Sequence, residues 1–186
     1  MDRLTIQKIP KGNFGDNFYN YEVYAMLLCR KITSEDSKTV VSWLSDETSF
    51  EFWSGGRFLY PMTKEQLDDF YNDTQYTGMI VENDGVPIGH FFIQKLNTNK
   101  YKLGLIVVDS SQRGKGYGKR LVEEAIKYCK DNYNADAVML CVFENNIAAY
   151  ECYKKLGFHE NGKYIFLHIA NSEHKYIELE YSIKKS

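Results

Sequence analysis

Leu103 to Asp131 reads LGLIVVDSSQRGKGYGKRLVEEAIKYCKD, and the fold turns on it. Leu103 to Val108 is an apolar run of β type, Asp109 to Gln112 a short polar turn. Arg113-Gly114-Lys115-Gly116-Tyr117-Gly118 then opens a segment whose apolar residues Leu121, Val122, Ala125, Ile126 and Cys129 recur at helical spacing. A strand feeding a glycine-rich turn at a helix N-terminus forms an anion site. The first helical amides lack internal partners, and the helix dipole favours negative charge there. The alternative is a glycine-rich turn without a ligand.

Spacing tests the ligand. A P-loop needs Gly-x4-Gly-Lys followed by Ser or Thr. Here Arg120 follows Gly118-Lys119, and the first glycine would fall at Arg113. A dinucleotide fingerprint needs Gly-x-Gly-x-x-Gly, and both available registers end on Lys119 or Leu121. Arg-x-x-Gly-x-Gly does fit, at Arg113, Gly116 and Gly118. After the next apolar strand, Ala137 to Val142, comes Asn146-x-x-Ala149-x-x-x-Tyr153-x-x-x-Gly157-Phe158. In this order and spacing the two motifs closely resemble those of the GNAT superfamily of acetyl-CoA-dependent N-acetyltransferases. The resemblance covers Ala25 to Ile183. The front half looks most like the branch containing ribosomal-protein-alanine acetyltransferases.

That resemblance implies an α/β GNAT fold: a mixed sheet of about seven strands, about four flanking helices and two splayed parallel central strands. It implies acetyl-CoA as co-substrate, a primary amine as acceptor (a protein N-terminus or a small molecule), and direct attack in a ternary complex. No metal is required. Pantetheine would run along Ile106, Val107 and Val108. The pyrophosphate would sit on amides from Arg113, Gly114, Lys115, Gly116, Tyr117, Gly118 and Lys119, and Asn146 would contact CoA. Tyr153 would bond the leaving sulfur and protonate it. Ordinary pKa values near 8.5 for a thiol and 10 for a phenol allow that transfer as the thiolate forms.

The general base stays open. Many relatives carry Glu on the central strand two residues before a Gly; here Lys102 precedes Gly104. His90, Glu82 and Glu144 are candidates by placement, each with a structural role as the competing reading. An amine of pKa about 10.4 is only about 0.04% neutral at pH 7, so a proton acceptor or water relay matters. A route through Cys141 is disfavoured, because an apolar strand opposes a thiolate. A CoA-binding sensor with weak or lost turnover is the alternative function.

The rest of the chain sets bounds. At 186 residues, one domain over 25–186 is expected, after a lead over 1–24 that could be an arm, an added strand or a dimer contact. A net charge of −2 offers no field to draw nucleic acid or an anionic membrane. No apolar run is long enough to span a bilayer, and no signal peptide is apparent. Cys29, Cys129, Cys141 and Cys152 lack paired metal spacing. These features suggest a reduced, cytoplasmic protein, monomer or homodimer.

In the front half, Ala25 to Ile32 reads as a strand and Thr33 as a helix cap. Ser45 to Met62, SDETSFEFWSGGRFLYPM, reads as an aromatic loop. It either packs on the core or walls the acceptor site through Trp53, Phe58 and Tyr60. Thr63 caps a second helix through Tyr71. Asn83-Asp84-Gly85 marks a hairpin between strands Thr77 to Glu82 and Val86 to Leu96. Two final strands, near Phe158 to Ile169 and Tyr176 to Ile183, close the sheet.

Overall fold

Capping side chains decide where the first helices begin. In the computed structural model, which describes residues 27–169 and 171–184, β1 (Leu27–Lys31) leads to Thr33. Thr33 and Asp36 form a capping box that starts α1 (Ser34–Ser42). Thr63 accepts from the Gln66 amide at 3.4 Å and starts α3 (Lys64–Asn72). The lead over 1–24 lies outside the described residues.

The aromatic stretch after Ser45 is not all loop. Its first half is α2 (Glu47–Ser54), so five helices flank the sheet instead of about four. Asp46 accepts from the Ser49 amide at 2.8 Å, and Gly55, at φ 59°, closes the helix. Cap and stop outweigh the lack of a clean apolar stripe.

The remaining elements are β2 (Tyr76–Asn83), β3 (Val86–Lys95), β4 (Lys100–Val108), α4 (Tyr117–Tyr133), β5 (Ala137–Phe143), α5 (Ile147–Leu156), β6 (His159–Ile169) and β7 (Ser172–Ser182). Asp84 and Gly85, at φ 51° and 78°, make the two-residue turn between β2 and β3. The strands form one sheet in the order β1-β2-β3-β4-β5-β7-β6. Every neighbouring pair is antiparallel except β4 and β5, which α4 connects as a crossover. This is the mixed sheet expected, with its parallel pair in the middle.

Strand alternation divides the core in two. Leu103, Leu105, Val138, Leu140, Val142, Ile177 and Leu179 pack under α4 and α5, against Leu121, Val122, Ala125, Cys129, Tyr153 and the following Phe158. On the opposite face, Ile80 and Val107 meet Val40, Leu44, Phe50 and Leu67 from α1, α2 and α3. The two layers leave the ends of β4 and β5 between them. No helix among the described residues is long and apolar enough to cross a membrane.

Candidate active site

The site begins where a strand pair comes apart. β4 and β5 pair at Lys100 with Ala137, Tyr101 with Val138 and Lys102 with Met139, and no further. Beyond Lys102, β4 is held only on its other side, by β3: Gly104 opposite Phe92, Val107 opposite His90, Val108 opposite Gly89. Leu105 and Ile106 both stand against Phe91, a bulge that bends β4, with Leu105 at φ 50°. The edge of β4 facing β5 is therefore open along Ile106, Val107 and Val108, where unpaired amides and carbonyls can take an extended ligand.

His90 supports this bulge. Its ring is fully buried; Nδ1 lies 3.0 Å from the Leu105 carbonyl and Nε2 lies 2.7 Å from the Tyr71 hydroxyl. A carbonyl only accepts, so Nδ1 carries the proton and Nε2 accepts from Tyr71. Burial lowers the imidazole pKa to about 4, so the ring is neutral near pH 7. Tyr71 reaches it because Gly78 has no side chain: a Cβ there would lie 2.7 Å from the tyrosine ring.

At the top of β4 the chain passes through a 3-10 turn, Ser110–Gln112, capped by Asp109. Gly114 and Gly116 follow at φ 78° and 79°, a conformation that costs other residues about 1–2 kcal/mol. Gly116 caps α4 without a side-chain bond, leaving the amides of Tyr117, Gly118 and Lys119 at the start of a 17-residue helix. A Cβ on Gly114, Gly116 or Gly118 would meet nothing within 4 Å. The space over the loop is open for a phosphate. Arg113, Lys115 and Lys119 are exposed around it; Lys115 donates to Gln112 at 3.0 Å and Lys119 lies 3.5 Å from Glu123.

Across the opening, Asn146 caps α5 by accepting from the Ala149 amide at 3.2 Å, and is exposed. Tyr153 is buried one helix face below, its ring 5.9 Å from Phe158. Burial, then the neighbouring Cys152 and Tyr176, push the phenol well above its ordinary value. Tyr176 stands on β7, its ring 4.6 Å from Phe143 at the end of β5.

The α2 helix roofs the gap from the other face. Phe50 joins the cluster containing Val107 of β4, while Phe52 meets Phe143 at 5.1 Å and His174 at 5.0 Å. One helix thus touches both sides of the split. Just past its end, Arg57 donates to the Ser54 carbonyl at 3.3 Å.

The other residues singled out from the sequence fall in different places. Trp53 stacks on Phe58 at 5.7 Å and lies 6.4 Å from His90, within an aromatic layer that continues through Phe70. Tyr60 packs on Phe50 at 5.3 Å, and its hydroxyl donates to the Ser45 carbonyl at 2.9 Å. Glu82 is tied to Arg30 at 2.7 Å; the same guanidinium grips Asp36. Glu144 is exposed, 3.3 Å from Lys175. The three proposed bases therefore do not converge on one point. Cys141 lies on β5 past its last pair with β4, with its thiol pushed up by burial. Phe52 and Tyr176, which both pack on Phe143 at the end of β5, were not singled out from the sequence. Only alternation along β7 hinted that Tyr176 and Glu178 share a face.

Comparison with known proteins agrees with this architecture. The sequence model described as Acetyltransferase (GNAT) family matches residues 38–158. The spermine/spermidine N(1)-acetyltransferase of Bacillus subtilis is 36% identical over 59 residues, 32% of this chain and 39% of that protein. The chain thus matches about two-fifths of the length of that curated relative. The spermidine N-acetyltransferase of Vibrio cholerae, solved in complex with CoA and spermine, superposes with a TM-score of 0.72 at 19% identity. That alignment covers 84% of this chain and 95% of the other. A putative phosphinothricin N-acetyltransferase superposes with a TM-score of 0.69 at 18% identity, over 86% and 100% of the two chains. The named curated relative is a polyamine enzyme, where the front half had suggested the ribosomal-protein-alanine branch. With both motifs inside the matched region and the central strands parted above them, the chain belongs to the GNAT acetyltransferase family.

Proposed function

We propose that the protein transfers the acetyl group of acetyl-CoA to a primary amine of a small molecule, by direct attack in a ternary complex. The observation that carries this reading is the halt of β4–β5 pairing at Lys102 and Met139, directly below the open glycine loop. The residues fit the co-substrate. Amides of Tyr117, Gly118 and Lys119 take the pyrophosphate, with about 1 kcal/mol of help from the helix dipole. The exposed backbone of Ile106 to Val108 pairs with the pantetheine amides. A carbon–nitrogen bond forms as the carbon–sulfur bond breaks, and sulfur leaves as a thiolate. Tyr153 donates its phenolic hydrogen to that sulfur. Burial raises the phenol, which keeps Tyr153 protonated and able to donate as the thiolate forms.

His90 is better suited to holding the bulge than to taking a proton, since both ring nitrogens are engaged. Glu82 and Glu144 have cations of their own. The amine therefore reacts from its neutral fraction and loses its second proton to water, from which Tyr153 regains the proton it gave to sulfur. An N-terminal α-amine of a protein would ask the same of the reacting atoms. The acceptors named for the relatives favour the small molecule. Every residue in this reading comes from one chain, so a monomer suffices and a homodimer is compatible. Four free thiols suit a reducing, cytoplasmic setting.

Two measurements test the proposal. Acetyl-CoA at a hundred times its Kd should stabilise the protein by about 2.7 kcal/mol and raise Tm accordingly. Tyr153→Phe should keep that shift while lowering kcat by about a hundredfold with any accepted amine. An unchanged Tm, or a fully active Tyr153→Phe enzyme, would overturn it.

A further inference from the structure

We propose that Tyr71 and His90 are positioning residues for the transfer: acting on the Leu105 carbonyl, they aim the Ile106 amide at the thioester oxygen of acetyl-CoA. The inference rests on the acetyl-transfer reading and adds to it the device that polarises the acetyl group.

Leu105 is a non-glycine residue at φ 50°, a backbone that persists only where its surroundings hold it. What holds it is His90, whose fully buried ring donates from Nδ1 to the Leu105 carbonyl at 3.0 Å. The Leu105–Ile106 peptide is trans, so its carbonyl and its amide hydrogen point opposite ways. His90 stands on β3, across from Val107. With the carbonyl turned to His90, the Ile106 amide is turned away from β3, towards the side where β5 has parted. Ile106 is the end of the open edge nearest the split at Lys102. A thioester at that end of the pantetheine track presents its carbonyl oxygen to this amide. The oxygen gains negative charge as nitrogen attacks, and a donor already aimed at it stabilises that charge.

Tyr71 fixes the proton on which the arrangement depends. A neutral imidazole carries one proton on either nitrogen, and only the Nδ1–H form can donate to this carbonyl. The Tyr71 hydroxyl, 2.7 Å from Nε2, donates there and keeps the proton on Nδ1. The ring is also confined by its neighbours, with the Tyr71 centroid 5.9 Å and the Trp53 centroid 6.4 Å away. Gly78 leaves room for the set: a Cβ there would lie 2.5 Å from Ile32 and 2.7 Å from the Tyr71 ring. An apolar side chain would meet a packing role alone. A buried imidazole bonded at both nitrogens costs desolvation that an apolar ring does not, and it fixes one backbone direction.

The experiment pairs kinetics with the infrared carbonyl band of acetyl-CoA, isotope-labelled at the carbonyl carbon and bound without acceptor. A hydrogen bond to the thioester oxygen lowers that band, so it should lie lower on wild type than on His90→Phe or Tyr71→Phe. His90→Phe should lower kcat by about a hundredfold, the scale of one lost oxyanion donor. Tyr71→Phe should lower it by about tenfold, the scale of one neutral hydrogen bond. His90→Asn, whose amide nitrogen can replace Nδ1, should turn over about tenfold faster than His90→Phe. The Kd of CoA, which has no acetyl oxygen, should stay put in all three. If His90→Phe does not fold, Tyr71→Phe decides. An identical band and kcat in wild type and Tyr71→Phe would overturn the inference and leave acetyl transfer standing. A loss of CoA affinity equal to the loss of rate would also overturn it, by showing a pair that only supports the fold. The expected difference in band, in a protein that acetylates no amine, would support the positioning and overturn the transfer.

Discussion

Burial keeps the His90 imidazole neutral, and acid exposes what that costs. Its pKa falls from about 6.5 in the unfolded chain to about 4 in the fold. Above pH 6.5 the ring is neutral in both states and the shift has no effect on stability. As pH falls from 6.5 towards 4, the unfolded chain binds a proton that the native ring refuses. Stability should then drop by about 1.4 kcal/mol per pH unit from this group alone. Denaturant titrations of wild type and His90→Gln should differ by that slope in this window and run parallel above it. An identical slope in both would show that the ring protonates in place. Asp36 acts at lower pH: the Arg30 guanidinium holds its carboxyl at about 2, so its contribution is present above about pH 4 and lost towards 2. The sequence marked His90 as noteworthy, but no spacing reveals that a ring will be buried between a strand carbonyl and a tyrosine. Those partners lie 15 and 19 residues away along the chain.

At the scale of elements, the glycine loop and α4 separate two demands that one glycine can serve. Gly116 is required by its own backbone, since it sits in the left-handed region. Gly118 is not: it lies in the first turn of α4, with nothing within 4 Å of its missing Cβ. Gly118→Ala should therefore stabilise the free protein, by up to about 1 kcal/mol from helix propensity, while weakening acetyl-CoA binding. Thermal melts with and without acetyl-CoA would show the opposite signs; a variant that gains stability and keeps full affinity would mean that phosphate does not approach Gly118. This loop was legible because its glycines, its apolar strand and its amphipathic helix are contiguous. The α2 helix was harder to see. Phe50, Phe52 and Trp53 give no single helical stripe, because α2 bridges two sheet halves and needs apolar contacts on more than one side. Its ends were legible after all, in Asp46 and Gly55.

At the scale of the whole molecule, three residue pairs hold the two halves of the sheet together in its middle, with α2 and α4 bridging above and below. Opening along that seam exposes backbone a protease can cut, and a bound ligand that spans the seam opposes the opening. Cleavage of the native protein should slow by the factor 1 + [L]/Kd as acetyl-CoA is added, provided reclosing outruns cutting. Limited proteolysis across an acetyl-CoA titration measures this. A cleavage rate indifferent to acetyl-CoA would mean that the protease enters elsewhere. If the rate responds, the seam ties the protein's lifetime to metabolism: in a cell starved of acetyl units, the catalyst that consumes them becomes the easier prey for degradation, and its abundance follows the supply of its own substrate.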